Sequence, residues 1–302
     1  MNTIPKKTGY IKSFDSTPIY YEVRGEGPPL VLAYGIGCLI NHWRHQIKYF
    51  SKNYQTIVFD YRGHHLSGIP KDTSHLSIDS LAQDLKVLCN ELGIKQAVFL
   101  GHSFGSQVLI RTYDMYPELF HSLVLVNGFA SNPVKGMFGV DTVSSFFHLF
   151  KQGYNLLPET LSYLWKHAIN NPISIQLSAL AGGFNLQLTS FKDIEVYARG
   201  VASMDLDVFI RLFQNMVDYD GTSVLERIQV PALIIGGTKD TITPLPFQEA
   251  LHKKIRKSRL LEVPYGTHCT QLDMPDFVNL RIERFLVANQ YGLLSDEVDG
   301  LA

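Results

Sequence analysis

Residues 97 to 107 read Ala-Val-Phe-Leu-Gly-His-Ser-Phe-Gly-Ser-Gln, and they restrict the fold more than any other stretch of the chain. Val98, Phe99 and Leu100 form a continuous apolar run. Such a run reads as a strand buried on both faces, the kind found in a parallel sheet covered on both sides. Beyond Ser103 the pattern turns helical, with Val108 and Leu109 on the inner side. The chain must therefore reverse at Ser103. A turn that sharp strains the serine backbone and leaves almost no space beside it, and Gly101 and Gly105 provide space because neither carries a Cβ. The hydroxyl is then held at the tip of the sheet against a helix N-terminus, whose free amides favour negative charge. A glycine-flanked serine that only caps a helix has the same spacing, so the remaining chain has to decide.

The rest alternates buried strands with helices. Residues 10–14 and 18–23 read as two short strands around a turn at Asp15, Ser16 and Thr17. Residues 30–33, 56–60, 122–126, 231–236 and 259–263 read as further strands. A helix is expected from near Asn41, another over 246–255 and a last one over 275–287. Residues 77–92 predict an amphipathic helix with Ser77 as N-cap, Ile78, Leu81, Leu85 and Leu88 as the buried stripe, and Gly93 as its stop. Alternation of this kind implies an α/β fold, a mostly parallel twisted sheet with helices on both faces.

Residues 129–215 break that rhythm. Strand-like runs vanish and aromatics accumulate: Phe138, Phe146, Phe147, Phe150, Tyr154, Tyr163 and Trp165, then Phe184, Phe191, Tyr197, Phe209 and Phe213. The segment is too long for a loop without structure of its own. It reads as a helical cap (129–215) inserted into a core made of 1–128 and 216–302. Most of its aromatics are expected to pack cap against core, and a minority to line a pocket.

Composition fits a soluble globular enzyme: 302 residues, 45% apolar, 18% charged, formal charge −1. That charge offers no basic field for nucleic acid or anionic lipid. No stretch is long and apolar enough to span a bilayer, and the first ten residues lack the apolar segment of a signal peptide. Cys38, Cys89 and Cys269 cannot all pair and have no metal-type spacing, so reduced thiols in the cytoplasm are expected. The adjacent His64 and His65 likewise lack partners at metal-ligand spacing. Gly35 and Gly37 do not make a dinucleotide fingerprint, because position 40 is isoleucine. No metal or organic cofactor is expected, nor a nucleic-acid or membrane partner. The oligomeric state stays open.

The segment Gly101-His-Ser103-Phe-Gly105 resembles the nucleophile elbow of the α/β-hydrolase family. Asp60-Tyr-Arg62-Gly-His-His65-Leu-Ser67 resembles a second family segment, with histidine at 65 where glycine is usual. Asp60 is a candidate catalytic acid, and the favoured reading is that it ties down that turn with Arg62. Tyr34-Gly35-Ile36-Gly37 occupies the family's oxyanion loop, with tyrosine replacing the usual histidine. Serine at 106 stands where a second glycine is common. The resemblance covers the core alone.

Ligands meet such sheets at the carboxyl ends of the strands. Ser103, Asp240 and His268 each follow directly after a strand, and their order matches the family's triad. Asp218 and Asp220 precede a strand and fall at the wrong edge. Some family members carry the acid after the strand that follows the elbow helix, but there this chain has Asn127 and Gly128. His102 is expected to point away from the site. The resemblance implies backbone amides of Ile36 and Phe104 as the oxyanion hole.

The expected activity is a serine carboxylesterase acting on a small apolar acyl substrate through an acyl-serine. Serine at 103 excludes the aspartate nucleophile of epoxide hydrolases and haloalkane dehalogenases. Other family activities remain as alternatives: carbon–carbon bond hydrolase, lactonase, perhydrolase or proline aminopeptidase. The last would want an acidic group for a substrate ammonium, such as Glu159, Asp193, Glu195, Asp205 or Asp207. A ligand-binding member without turnover is the rival from another class.

Overall fold

The computed structural model describes residues 4–139, 142–169 and 183–292. The sequence-based expectation of a polar, frayed tail at 293–302 lies outside them. Eight strands form one sheet in the order β1-β2-β4-β3-β5-β6-β7-β8. They are β1 (Lys6–Lys12), β2 (Pro18–Arg24), β3 (Pro29–Ala33), β4 (Gln55–Phe59), β5 (Ala97–His102), β6 (Phe120–Val126), β7 (Ala232–Gly237) and β8 (Ser258–Val263). β1 and β2 run antiparallel to their neighbours, and every pair from β4 to β8 is parallel. Parallel neighbours need crossovers, and the helices supply them.

All six residues of β5 and all six of β7 are buried, which is why both read as unbroken apolar runs. β1 departs from expectation. It begins at Lys6 and ends at Lys12, pairing Lys6 with Arg24 and Lys12 with Pro18. It is an edge strand of mostly exposed residues, so backbone pairing extends it back over residues 6–9, where apolar alternation left no trace. Phe14, counted in the expected strand, lies beyond it and is exposed.

Helices cover both faces. Ile78–Glu91 and Phe104–Met115 pack together on one side, Arg44–Phe50 and Pro275–Ala288 on the other. Ser77 caps the first of these, its Oγ accepting from the Ser80 amide at 3.2 Å, and the stripe Ile78, Leu81, Leu85 and Leu88 is buried. A 3₁₀ turn at Ile40–Trp43 precedes Arg44–Phe50. Between β6 and β7 lie Thr142–Leu156, Pro158–Ile169, Phe191–Ser203 and Leu206–Asp218. Leu206–Asp218 buries Leu206, Val208, Ile210, Leu212 and Met216 on its inner side. Not every aromatic of this stretch packs inward, since Phe146, Tyr163 and Phe191 are exposed.

Asp60 and Arg62 do not pair. Asp60 accepts from the Tyr34 hydroxyl at 2.9 Å and the Leu66 amide at 3.2 Å, so it still ties down its turn. The guanidinium of Arg62 instead donates to Asp84 at 2.6 and 2.7 Å and to Asp15 at 2.8 Å. Asp84 is 1% exposed, and a carboxylate that deep requires a counter-charge.

Candidate active site

The carboxyl ends of β3, β5, β6, β7 and β8 meet at one rim. Register fixes this: Ala33 pairs with Gly101, His102 with Val126, and Gly237 with Val263. Ser103 follows at once with φ 52° and ψ −122°, a left-handed conformation that costs a residue with a Cβ about 1–3 kcal/mol. A Cβ at Gly105 would come within 2.4 Å of the Ala33 carbonyl oxygen, and one at Gly35 within 3.3 Å of Ser103 Cβ. The loop after β3 therefore lies directly against the serine. Phe104 is the first residue of its helix, where the amide has no intrahelical acceptor. Ile36 and Ser103 both line the same cavity.

Ser103 Oγ lies 2.9 Å from His268 Nε2, and His268 Nδ1 lies 3.0 Å from Asp240 Oδ2. All three residues are buried. With Nδ1–H donated to the carboxylate, Nε2 is the lone-pair nitrogen that faces the hydroxyl. Asp240 is saturated with donors. Its Oδ1 accepts from the amides of Ile242 at 2.8 Å and Thr243 at 2.9 Å. Its Oδ2 accepts from Asn127 Nδ2 at 2.7 Å and Thr243 Oγ1 at 2.8 Å. These bonds fix the carboxylate before the histidine reaches it.

Three partners escaped the sequence reading. Asn127 was visible only as a missing carboxylate, and Thr243 carried no signal beyond its place near Asp240. His102, expected to point away, lines the same cavity as Ser103. Its Nε2–H donates to the main-chain oxygen of His268 at 2.8 Å. Its Nδ1 then accepts from His42 Nε2, 3.1 Å away. Burial, then the nearby His268, pushes the imidazole of His42 down to about 3, and burial pushes that of His102 well below the usual range. Both rings are neutral at pH 7, as that hydrogen-bonded chain requires.

A cavity of about 510 Å³ opens beside Ser103. Phe129, Phe138, Phe184, Phe209, Phe213, Tyr197 and Met216 supply much of its wall. No Asp, Glu, Lys or Arg lines it among the described residues. The five acidic candidates for an ammonium site are elsewhere. Asp193 pairs with Arg44, Glu195 with Arg199 and Asp207 with Arg211. Asp205 caps its helix, and Glu159 is exposed.

Residues 28–275 match the family model of the alpha/beta hydrolase fold. The chain is 24% identical over 294 residues to epoxide hydrolase 1 of Caenorhabditis elegans, covering 93% of this chain and 70% of that protein. Among solved structures, a bromoperoxidase from Bacillus anthracis superposes with a TM-score of 0.76 at 20% identity, covering 92% of this chain and all (100%) of that one. An esterase from Exiguobacterium antarcticum superposes with a TM-score of 0.74 at 20% identity, covering 92% and 98%. The eight-stranded sheet and the match over most of its length assign the chain to the α/β-hydrolase family. No helix among the described residues is long and apolar enough to cross a membrane.

Proposed function

We propose that this hydrolase is a serine carboxylesterase that cleaves small to medium apolar esters, with Ser103, His268 and Asp240 as its triad. The observation that carries the reading is the unbroken hydrogen-bonded line from Ser103 Oγ through His268 to Asp240. A serine hydroxyl stays protonated at neutral pH and needs a base within reach. His268 Nε2 takes the proton as Oγ attacks the ester carbonyl, and Asp240 stabilises the imidazolium that results. The tetrahedral oxyanion is held by the amides of Phe104 and Ile36, each worth about 3 kcal/mol in such sites. Collapse expels the alcohol, which takes its proton from His268. Water, activated by the same imidazole, then hydrolyses the acyl-serine.

The cavity supports the substrate class. Its apolar wall suits an uncharged acyl or alkoxy group, and the lack of a charged lining residue argues against an ammonium-bearing substrate. In this reading 129–215 is the cap that supplies most of the wall, and the enzyme works in the cytoplasm without metal or cofactor. Epoxide opening by an aspartyl nucleophile is set aside because position 103 is serine.

The test is active-site labelling with a fluorophosphonate, paired with p-nitrophenyl ester hydrolysis. Wild type is expected to label at Ser103 and to turn over. Ser103→Ala is expected to lose labelling and roughly 10³-fold or more of kcat. Parent-rate turnover in Ser103→Ala would defeat the proposal. An unreactive Ser103 in a folded protein that still binds apolar ligands would favour the non-catalytic reading.

A further inference from the structure

We propose that Cys38, His42 and His102 form a binding site for a thiophilic divalent cation, zinc by preference, and that the bound ion inhibits the enzyme. The three residues are buried, and one donor atom from each lies within 4.8 Å of the others. Nothing in their spacing along the chain suggests this. The fold brings the loop after β3 and its 3₁₀ turn against the end of β5.

Sulfur with two imidazole nitrogens is a donor set that zinc favours. His42 Nε2 and His102 Nδ1 are 3.1 Å apart, close to the edge of about 3.3 Å that zinc–nitrogen bonds of about 2.0 Å give a tetrahedron. His102 is also held as metal-bound imidazoles usually are. Its far nitrogen donates to a carbonyl, that of His268 at 2.8 Å, which fixes the tautomer and leaves Nδ1 as the lone-pair atom. A fourth donor is at hand. The Gln271 amide group contacts His42 Nε2, and its Oε1 is buried without a partner. Turning the amide over exchanges the two atoms and brings the oxygen to the cluster. Cys38 and His102 both line the cavity beside Ser103, so an ion has a route in.

Binding displaces the thiol proton to solvent, moves the His42 proton from Nε2 to Nδ1 so that Nε2 offers its lone pair, and forms a metal–thiolate bond. It anchors Cys38, two residues beyond Ile36, and His102, which holds the main chain of His268. Inhibition through these two anchors rests on the esterase reading, whereas binding of the ion does not.

The experiment titrates zinc into the full chain against a chromogenic chelator, for wild type and Ser103→Ala. One zinc per chain is expected in both, with binding at least tenfold weaker in Cys38→Ser. Wild-type ester hydrolysis should fall over the same zinc range and return with EDTA. Cobalt reports the sulfur ligand directly. The double variant Cys89→Ser/Cys269→Ser, with Cys38 as its remaining thiol, should give a near-ultraviolet thiolate-to-cobalt band. Absence of stoichiometric zinc, absence of that band, or undiminished binding by folded Cys38→Ser would each overturn the site. Zinc held by both wild type and Ser103→Ala, with no ester turnover to inhibit, would instead count against the esterase reading.

Discussion

Asn127 donates its side-chain N–H to Asp240 Oδ2 at 2.7 Å, so the position where some α/β hydrolases carry the acid here holds the carboxylate proposed for that role. Asn127 also donates to the Thr267 carbonyl at 3.2 Å, and its φ of 48° is one that Asn and Asp tolerate. Asp240→Asn removes the counter-charge of the imidazolium and is expected to cost about 10⁴ in kcat. Asn127→Asp sets two carboxylates against each other, of which only one ionises readily. The double variant Asn127→Asp/Asp240→Asn keeps one donor and one acid in the same corner. Its kcat/KM on a p-nitrophenyl ester should recover at least roughly tenfold over Asp240→Asn alone. A double variant no better than that single one would show that only position 240 can serve His268.

His102 and Ser103 are consecutive, and both reach His268, one to its main-chain oxygen and the other to its ring. In the proposed mechanism His102 is thus a positioning residue. His102→Phe removes the donor while keeping a ring of similar breadth. One lost hydrogen bond to a buried carbonyl, worth about 1.5 kcal/mol, corresponds to about a tenfold fall in kcat. KM should stay within about twofold, because the cavity wall is little changed. His102→Gln, which restores an N–H donor, should regain much of the loss. A purely structural role would lower thermal stability in both variants without splitting kcat from KM.

The sheet and the three candidate catalytic residues were legible because each is a local event: an apolar run ends and a reactive side chain follows. Ser103 also announced its own strain through Gly101 and Gly105. What surrounds them was not legible, because it depends on pairings across the fold. Asn127 meets Asp240 across 113 positions and His102 meets the His268 carbonyl across 166. Arg62 stood beside Asp60 in sequence but bonds Asp84, since burial of a charge outweighs nearness along the chain. The cavity wall was legible only in composition, for Phe209 and Phe213 line it while Phe146 faces solvent.

Arg62 and Asp84 form a buried pair, with side-chain exposures of 0% and 1%. Arg62→Met leaves the Asp84 carboxylate without its cation in the interior and is expected to cost about 3–5 kcal/mol. Replacing Asp84 as well, in Arg62→Met/Asp84→Asn, removes the stranded charge and should recover part of that. Urea unfolding of the two variants checks it. Equal losses would mean that the unpaired charge is not the cause.

Ala198 is 4% exposed and lines the cavity on Phe191–Ser203, beside Tyr197. Ala198→Phe adds a ring to that wall at the expense of free volume. Hydrolysis of p-nitrophenyl acetate should change little, while that of the octanoate should fall roughly tenfold or more in kcat/KM, the discrimination expected when several methylenes lose their place. A parallel loss on both esters would place the acyl chain elsewhere.

His64 links pH to the loop beside Ser103. Its Nε2 accepts from the Gly37 amide at 3.2 Å, and only a neutral ring can accept. Burial, then the neighbouring His65, pushes His64 down to about 3, from an ordinary value of 6.5. Below 6.5 the unfolded chain takes up a proton that the folded chain refuses until about 3. The stabilisation is therefore complete above pH 6.5 and is lost as pH falls through that interval, at up to about 1.4 kcal/mol per pH unit for one histidine. His42, held down to about 3 as well, adds a slope of the same sign. His64→Gln offers a carbonyl oxygen to Gly37 without a titrating group. Its unfolding free energy, from urea titrations between pH 6.5 and 4, should fall less steeply than that of wild type, by up to about 1.4 kcal/mol per pH unit. An unchanged slope would mean that His64 is protonated in the folded protein over that range, and that the Gly37 bond breaks without unfolding the chain.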